Sequence, residues 1–345
     1  MNFFKPASLL VLWSVATTPI GGGVHAQAVE TGDYCGTTIR VGVRDDAPPF
    51  SFSPSALLVS PDSDPTAQSC GPTTPNFPQH AGFTVALCDA FLAHLNESCT
   101  ARGAETVEVD VVSLTASERV ASLLGTSDKE IDLLCGATTA TVWMSGRLPH
   151  SLNTFVTPSR AMTPERFGVG ESAQCRIGVV GGTTSSQKRA DDTMLPGWDR
   201  FVSSNAFCGT VGEAPLVEHE YKDYPEALAD LLSDAKAPKS DLLIADHHIL
   251  RWYQENLSSL KIQQSDTLSA PLVGQRSFTL EPYAIFGGHD DQPLVAELNL
   301  YLAEQQRDGR FEEHVANCFG RRIDESLLRL LEIQKRTPLG DPAAE

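Results

Sequence analysis

Long apolar runs are scarce in this 345-residue chain, and basic charge is scarcer than acidic: 26 Lys and Arg stand against 44 Asp and Glu. Past the N-terminal segment no run approaches the ~20 apolar residues that span a bilayer, so nothing there reads as a transmembrane helix. A formal net charge of −18 argues against nucleic acid or an anionic membrane surface as a partner. There is no G-x-S-x-G nucleophile elbow, no Walker loop and no H-E-x-x-H helix. The glycine-rich stretch 178–182 (GVVGG) does not meet the G-x-G-x-x-G spacing of a dinucleotide fingerprint. No two cysteines form C-x-x-C, and none has a histidine at zinc-finger spacing. Metal and nucleotide chemistry therefore have no motif to carry them, and no cofactor is expected.

What is present starts at the N-terminus. Lys5, the apolar run 9–15 and the small residues around Ala26-Gln27-Ala28 follow the layout of a secretory signal peptide, cut after Ala26 or Ala28 within a 1–28 leader. No Cys stands at the cut, the first being Cys35, so export to the periplasm without a lipid anchor is expected. All eight cysteines, Cys35, Cys70, Cys88, Cys99, Cys135, Cys175, Cys208 and Cys318, lie beyond that leader. An even number in an exported chain points to disulfides. Cys175 with Cys208 is the favoured pair, since both fall in the same predicted lobe, and Cys70 is placed to staple a long loop.

Apolar alternation over 38–44 predicts a strand, stopped by the Asp-Asp-Ala-Pro-Pro run that ends at Pro49. An irregular stretch rich in Ser, Pro, Asp and Thr covers 53–80 and reads as an insertion. A helix over 85–95, a strand over 107–112, a short helix over 117–124 and a strand over 131–136 follow. A second unit repeats that order: a strand over 176–180, a Gly-Gly-Thr-Thr turn able to open a helix, a helix over 224–232 and a strand over 241–246. Strand-like 278–286 then leads to helices over 294–307 and 311–319, with a last helical piece over 325–335. Alternating β and α elements predict parallel sheets covered by helices, an α/β fold.

Ligands of such sheets sit beyond the carboxyl ends of the strands. Four strand ends here are polar: Arg44-Asp45-Asp46, Thr138-Thr139, Thr183-Thr184 and Asp246-His247-His248. Arg44 offers a planar fork for a carboxylate. The threonines offer hydroxyls and, at helix starts, backbone N–H groups. Asp246 offers a negative charge for an ammonium. Plainer readings stand beside these: the threonines or Asp246 as N-caps, and Arg44 in a surface ion pair. His247 and His248, adjacent on a helix, point in different directions and are expected to be solvated rather than metal ligands.

Taken in order, the segments 39–52 (IRVGVRDDAPPFSF), 82–91 (GFTVALCDAF), 131–139 (IDLLCGATT), 178–185 (GVVGGTTS), 243–250 (LIADHHIL), 281–285 (EPYAI) and 309–320 resemble the amino-acid-type (family 3) periplasmic solute-binding proteins of ABC transporters. The Cys-Gly-x-Thr-Thr strand end is most similar to the glutamate/aspartate-binding branch. The resemblance implies a type II periplasmic-binding-protein fold, two lobes joined by a two-crossing hinge. Lobe 1 would comprise 33–157 and 275–320, lobe 2 would comprise 158–274, and 321–345 would be a helix and tail. It places Arg44, Thr138, Thr139, Ser151, Arg160, Thr183, Thr184 and Asp246 at or near ligand contacts, with Asp46 beside them. The family's carboxylate-binding Arg falls at Met144 here, and Arg147, one helical turn on, is the candidate substitute.

The expected function is capture of a small polar ligand, an amino acid or related acid, by a monomer that delivers it to an ABC permease. The competing reading is a periplasmic enzyme on the same fold, a dehydratase of cyclic dienyl acids, for which Asp46, Asp246 and His150 are the acid–base candidates. An accessory module presenting ligand to another membrane protein is the third.

Overall fold

The alternation over 38–44 forms β1 (Thr38–Arg44), whose Ile39, Val41 and Val43 are buried. The computed structural model describes residues 34–58, 74–164, 175–186, 216–233, 238–261, 271–274, 277, 279–320, 327–329 and 332. The Pro48-Pro49 run turns the chain between two short strands, β2 (Asp46–Ala47) and β3 (Ser51–Phe52), which pair with each other. The insertion then opens with one helical turn, α1 (Pro54–Leu57).

The helix expected over 85–95 is longer, α2 (Phe83–Ala101). Its start is fixed by Gly82, with φ of 126°, where an added Cβ would meet the Phe50 carbonyl oxygen at 2.3 Å. Its last turns carry Asn96, Glu97 and Ser98, which hide the helical period from an apolar count. Two disulfides hold it. Cys35–Cys99 ties its C-terminal end to the chain before β1, and Cys88–Cys135 ties its middle to the residue following β5 (below). Buried Cys318 is not disulfide-bonded. Cys70 and Cys208 lie outside the described residues, as do the leader and the helix expected after 186; of the 325–335 piece, 327–329 are helical.

The first lobe continues with β4 (Glu108–Leu114), α3 (Arg119–Leu123), β5 (Leu133–Leu134) and α4 (Val142–Ser145). The long β6 (Phe155–Pro164) leads to β7 (Cys175–Val180), β8 (Leu216–Tyr221), α5 (Tyr224–Leu231), β9 (Leu242–Asp246), α6 (His247–Glu255) and β10 (Pro271–Val273). The chain returns through β11 (Leu280–Tyr283), β12 (Phe286–Gly287), α7 (Gln292–Arg307) and α8 (Arg310–Phe319).

Two sheets result. The first has the order β12-β5-β1-β4, with β1 parallel to both neighbours and β12 antiparallel at the edge. The second has the order β10-β6-β9-β7-β8, with β7 parallel to β8 and β9. Each sheet with its helices is one lobe. β6 pairs with β11 over its first half and with β10 over its second, while β9 lies along its other edge. So β6 and β11 are the strands by which the chain passes between the lobes.

The lobes are held by apolar and main-chain contacts together. Phe52 lies 5.3 Å from Trp252, and Phe50 packs among Phe155, Tyr283 and Phe319. The Lys261 N–H donates to the Leu57 carbonyl at 2.8 Å, so the first turn of the insertion reaches the second lobe. His248 departs from expectation: it is buried against Phe155 and Phe319, with Nδ1 2.9 Å from the Thr157 hydroxyl. α6 packs this side on β6, which the bare His-His dipeptide does not disclose. Among the described residues no helix is long and apolar enough to cross a membrane.

Candidate functional site

Arg44 ends β1 and is 1 % exposed. Its Nε donates to Asp46 Oδ1 at 2.9 Å, and Nη2 lies 2.7 Å from the same oxygen without aiming an N–H at it. Burial is the largest influence and opposes the charge on Arg44, but the Asp46 carboxylate, Tyr224 and Tyr283 together outweigh it, so its pKa moves up. The surface ion pair considered from sequence is thus a fully enclosed one. The same Asp46 reaches the second lobe. Its Oδ2 accepts from the Tyr224 N–H at 3.3 Å, and its carbonyl accepts from the Tyr253 hydroxyl at 2.9 Å. The Arg44 guanidinium stands 5.6 Å from the Tyr224 ring centroid.

A second buried cation, Arg119 at the start of α3, is 8 % exposed. Nε donates to Ala116 O at 3.0 Å, Nη1 to Ala137 O at 2.6 Å and to Thr138 Oγ1 at 3.1 Å, and Nη2 to Gly182 O at 2.9 Å. The last bond crosses between lobes. All these acceptors are neutral, and among the described residues Arg119 has no ion pair. Burial, then repulsion by Arg44, pulls its pKa down to about 10. Gly182, with φ of 75°, makes the approach workable: a Cβ there would lie 2.4 Å from the Ser117 Cα.

Asp246 ends β9 and stands at the N-cap position of α6, yet its side chain makes no capping bond and is 9 % exposed. The capping role considered from sequence therefore does not occur. Oδ2 accepts from the Tyr283 hydroxyl, and Oδ1, also buried, has no hydrogen-bond partner. Burial, followed by repulsion from Glu281, pushes its pKa up to about 7 against the opposing effects of Tyr283, Arg44 and Arg119.

Arg44, Asp46, Thr138 and Asp246 are thus gathered at the seam with Arg119, Tyr224, Tyr253 and Tyr283. Thr139 lies next to Thr138 in a backbone bridge to Tyr283. The cap of α4 is Thr141, whose hydroxyl accepts from the Met144 N–H at 3.2 Å, so neither Thr138 nor Thr139 serves there. Thr183 donates to Val180 O at 2.7 Å, and Thr183 and Thr184 are half-buried in the Gly182 turn. Arg160 lies on β6 opposite Ala245.

Two other residues expected near the ligand, Arg147 and Ser151, have different partners. Arg147 stacks 4.3 Å from the Trp143 centroid and lines a surface groove with His150 and His289. Among the described residues no hydrogen bond or ion pair joins it to the seam. Ser151 is a brace: its hydroxyl donates to Leu152 O at 2.7 Å and accepts from Ile285 N at 2.9 Å. Met144 is buried in an apolar cluster with Leu114, Leu123, Ile131, Leu148 and Phe286. Arg119, rather than Arg147, is the cation the fold brings to Thr138. Nothing in the local sequence marks it.

With this geometry the chain has the type II periplasmic-binding-protein fold, two α/β lobes with the polar strand ends turned to the seam between them. An ancestral arginine-binding protein bound to glutamine has the same fold, with a TM-score of 0.54, 18 % identity, and coverage of 82 % of this chain and 98 % of that one. A substrate-binding protein of an ABC uptake transporter from Streptococcus pneumoniae with bound histidine gives 0.53 at 18 % identity, covering 84 % and 94 %. An ancestral amino-acid-binding protein, precursor of cyclohexadienyl dehydratase, gives 0.53 at 17 % identity, covering 82 % and 95 %. No protein-family model matches the sequence, and no curated protein matches it.

Proposed function

We propose that this chain is a periplasmic solute-binding protein that captures a small zwitterion, an amino acid with one carboxylate, and passes it as a monomer to an ABC permease. The observation that carries this reading is the pair of unmatched charges at the seam. Arg119 is a buried cation held only by neutral acceptors among the described residues, and Asp246 is a buried acid with one oxygen lacking a hydrogen-bond partner. A carboxylate at Arg119 and Thr138 with an ammonium at Asp246 would answer both. Arg44 is already matched by Asp46, which leaves Arg119 as the anion site the described residues offer at the seam. That count favours a monocarboxylate over the glutamate/aspartate specificity suggested by the Cys-Gly-x-Thr-Thr end. Neighbours described with arginine, glutamine or histidine agree with it. The two lobes would close on the ligand by bending at β6 and β11.

A thermal-shift screen tests this. Glutamine, histidine or arginine should raise Tm, because a ligand of the folded state stabilises it. Arg119→Gln should lose at least about 100-fold in affinity, as a buried charge-assisted pair is worth roughly 3 kcal/mol. If no amino acid shifts Tm, or if Arg119→Gln binds as well as the parent, the reading fails.

A second reading rests on Asp246 itself. An acid whose pKa is pushed to about 7 suits proton transfer at neutral pH, and one neighbour is a dehydratase precursor. Release of an aromatic product from a cyclohexadienyl acid would establish it, and binding without turnover would exclude it.

A further inference from the structure

Directly paired residues of an antiparallel ladder point their side chains to one face. Ser159 on β6 is paired with Asp246 on β9, Thr157 with Glu281, and Phe155 with Tyr283 on β11. Asp246, Ser159, Thr157, Glu281 and Tyr283 therefore share one face of the strands that join the lobes, and all five are buried. Their polar atoms are bonded in two separate sets, one around each carboxyl. Tyr283 donates to Asp246 Oδ2, Thr279 Oγ1 donates to Glu281 Oε1 at 2.5 Å, and Thr279 in turn lies 2.6 Å from the Ser159 hydroxyl. Two carboxylates thus occupy one dry face. Among the described residues neither is in an ion pair, and Asp246 Oδ1 accepts nothing.

A desolvated carboxyl that shares a buried face with a second acidic side chain holds its own proton more tightly. We propose that Glu281 is a positioning residue that reserves the Asp246 subsite for a cationic group of the ligand, an ammonium or guanidinium, whose binding displaces a proton to solvent. This rests on the solute-binding reading for the existence of such a ligand. The balance is an exchange. Before binding Asp246 holds a proton; afterwards it is a carboxylate beside the ligand's cation, and the proton has gone to water. The net charge of the buried face is unchanged, which is why the exchange is cheap where addition of a bare cation or loss of a bare proton is not. The charged and titratable groups around Asp246 are Glu281 and Tyr283 on β11, Arg44 on β1, Asp46 on β2, Arg119 on α3, Tyr224 on α5 and His247 and His248 on α6. Of these, Glu281 is the first charge to raise the Asp246 pKa, while the two arginines lower it.

Calorimetric titration of L-glutamine and L-arginine, in buffers of differing ionisation heat, tests the exchange. At pH 7 the parent should release about half a proton, and its affinity should fall about tenfold from pH 8 to pH 6. Glu281→Gln keeps an oxygen for Thr279 but removes the charge. It should release little proton at pH 7 and show a nearly flat affinity over the same range. Equal proton release by parent and variant, or none by the parent, overturns the proposal. A ligand-free arm separates its failure from that of the solute-binding reading. The Tm difference between the parent and Asp246→Asn, followed from pH 5 to pH 8, should shrink when Glu281→Gln is the background. If neither amino acid binds, the solute reading falls and this arm still decides Glu281: an unchanged difference overturns its role.

Discussion

The hydroxyl of Tyr283 donates to Asp246 Oδ2, joining the strand that returns from the second lobe to the strand end that carries the site's acid. Burial raises Tyr283 well above its ordinary pKa, so it stays a donor at any physiological pH. It satisfies one Asp246 oxygen and leaves the other buried without a partner.

That arrangement makes Asp246 a cost to the fold. Its pKa rises from 3.8 to about 7 on folding, so between those values the native state holds more proton than the unfolded chain. Stability is then undiminished below pH ~4, falls as pH rises through the window, and bears the full penalty above pH ~7, at most about 4 kcal/mol. Asp246→Asn should therefore raise Tm at pH 8 and change it little at pH 4, while ligand binding is lost. A variant less stable than the parent at pH 8 contradicts this account; urea denaturation at the two pH values measures it.

Asp46→Ala should be severely destabilising, by about 3–5 kcal/mol, because it strands the Arg44 charge in the interior and removes the acceptor of the Tyr224 N–H. Replacing both partners, Arg44→Met with Asp46→Leu, should recover most of that loss. A double-mutant cycle read by denaturant midpoints gives the coupling; additive losses would mean that the pair does not act as a unit.

Gly182→Ala should leave each lobe folded and hold the lobes apart. The new Cβ meets the Ser117 backbone at 2.4 Å, and the left-handed φ adds roughly 1 kcal/mol of strain. Small-angle scattering should report a larger radius of gyration than the parent, with unchanged far-UV circular dichroism. An identical radius would show that the turn yields without moving the lobe.

The strands and helices were largely legible because each carries its own period. The alternation over 38–44 and the apolar run that ends at Asp246 match β1 and β9 within a residue or so, and the helix read over 224–232 is α5 (Tyr224–Leu231). Strand ends also pointed to Arg44, Thr138 and Asp246. Arg119 was not legible: its acceptors at Ala137 and Gly182 are 18 and 63 residues away, and locally it is one Arg in a short helix. Arg147 shows the converse. It stands near the position where the resembled family keeps its Arg, but α4 turns it onto Trp143 and turns Met144 into the core. The burial of His248 similarly depends on β6, which no reading of the dipeptide contains.

With Arg44 matched inside the fold, the seam shows an approaching solute little net charge, and the far field is that of the exterior, set by the −18 of the whole chain. Encounter rates then sort solutes by their own sign. Added salt should slow the capture of a cationic solute, hasten that of an anionic one and leave a neutral zwitterion nearly unaffected. The ionic-strength slope of the association rate is thus a readout of what the protein carries, taken before the solute reaches Arg119.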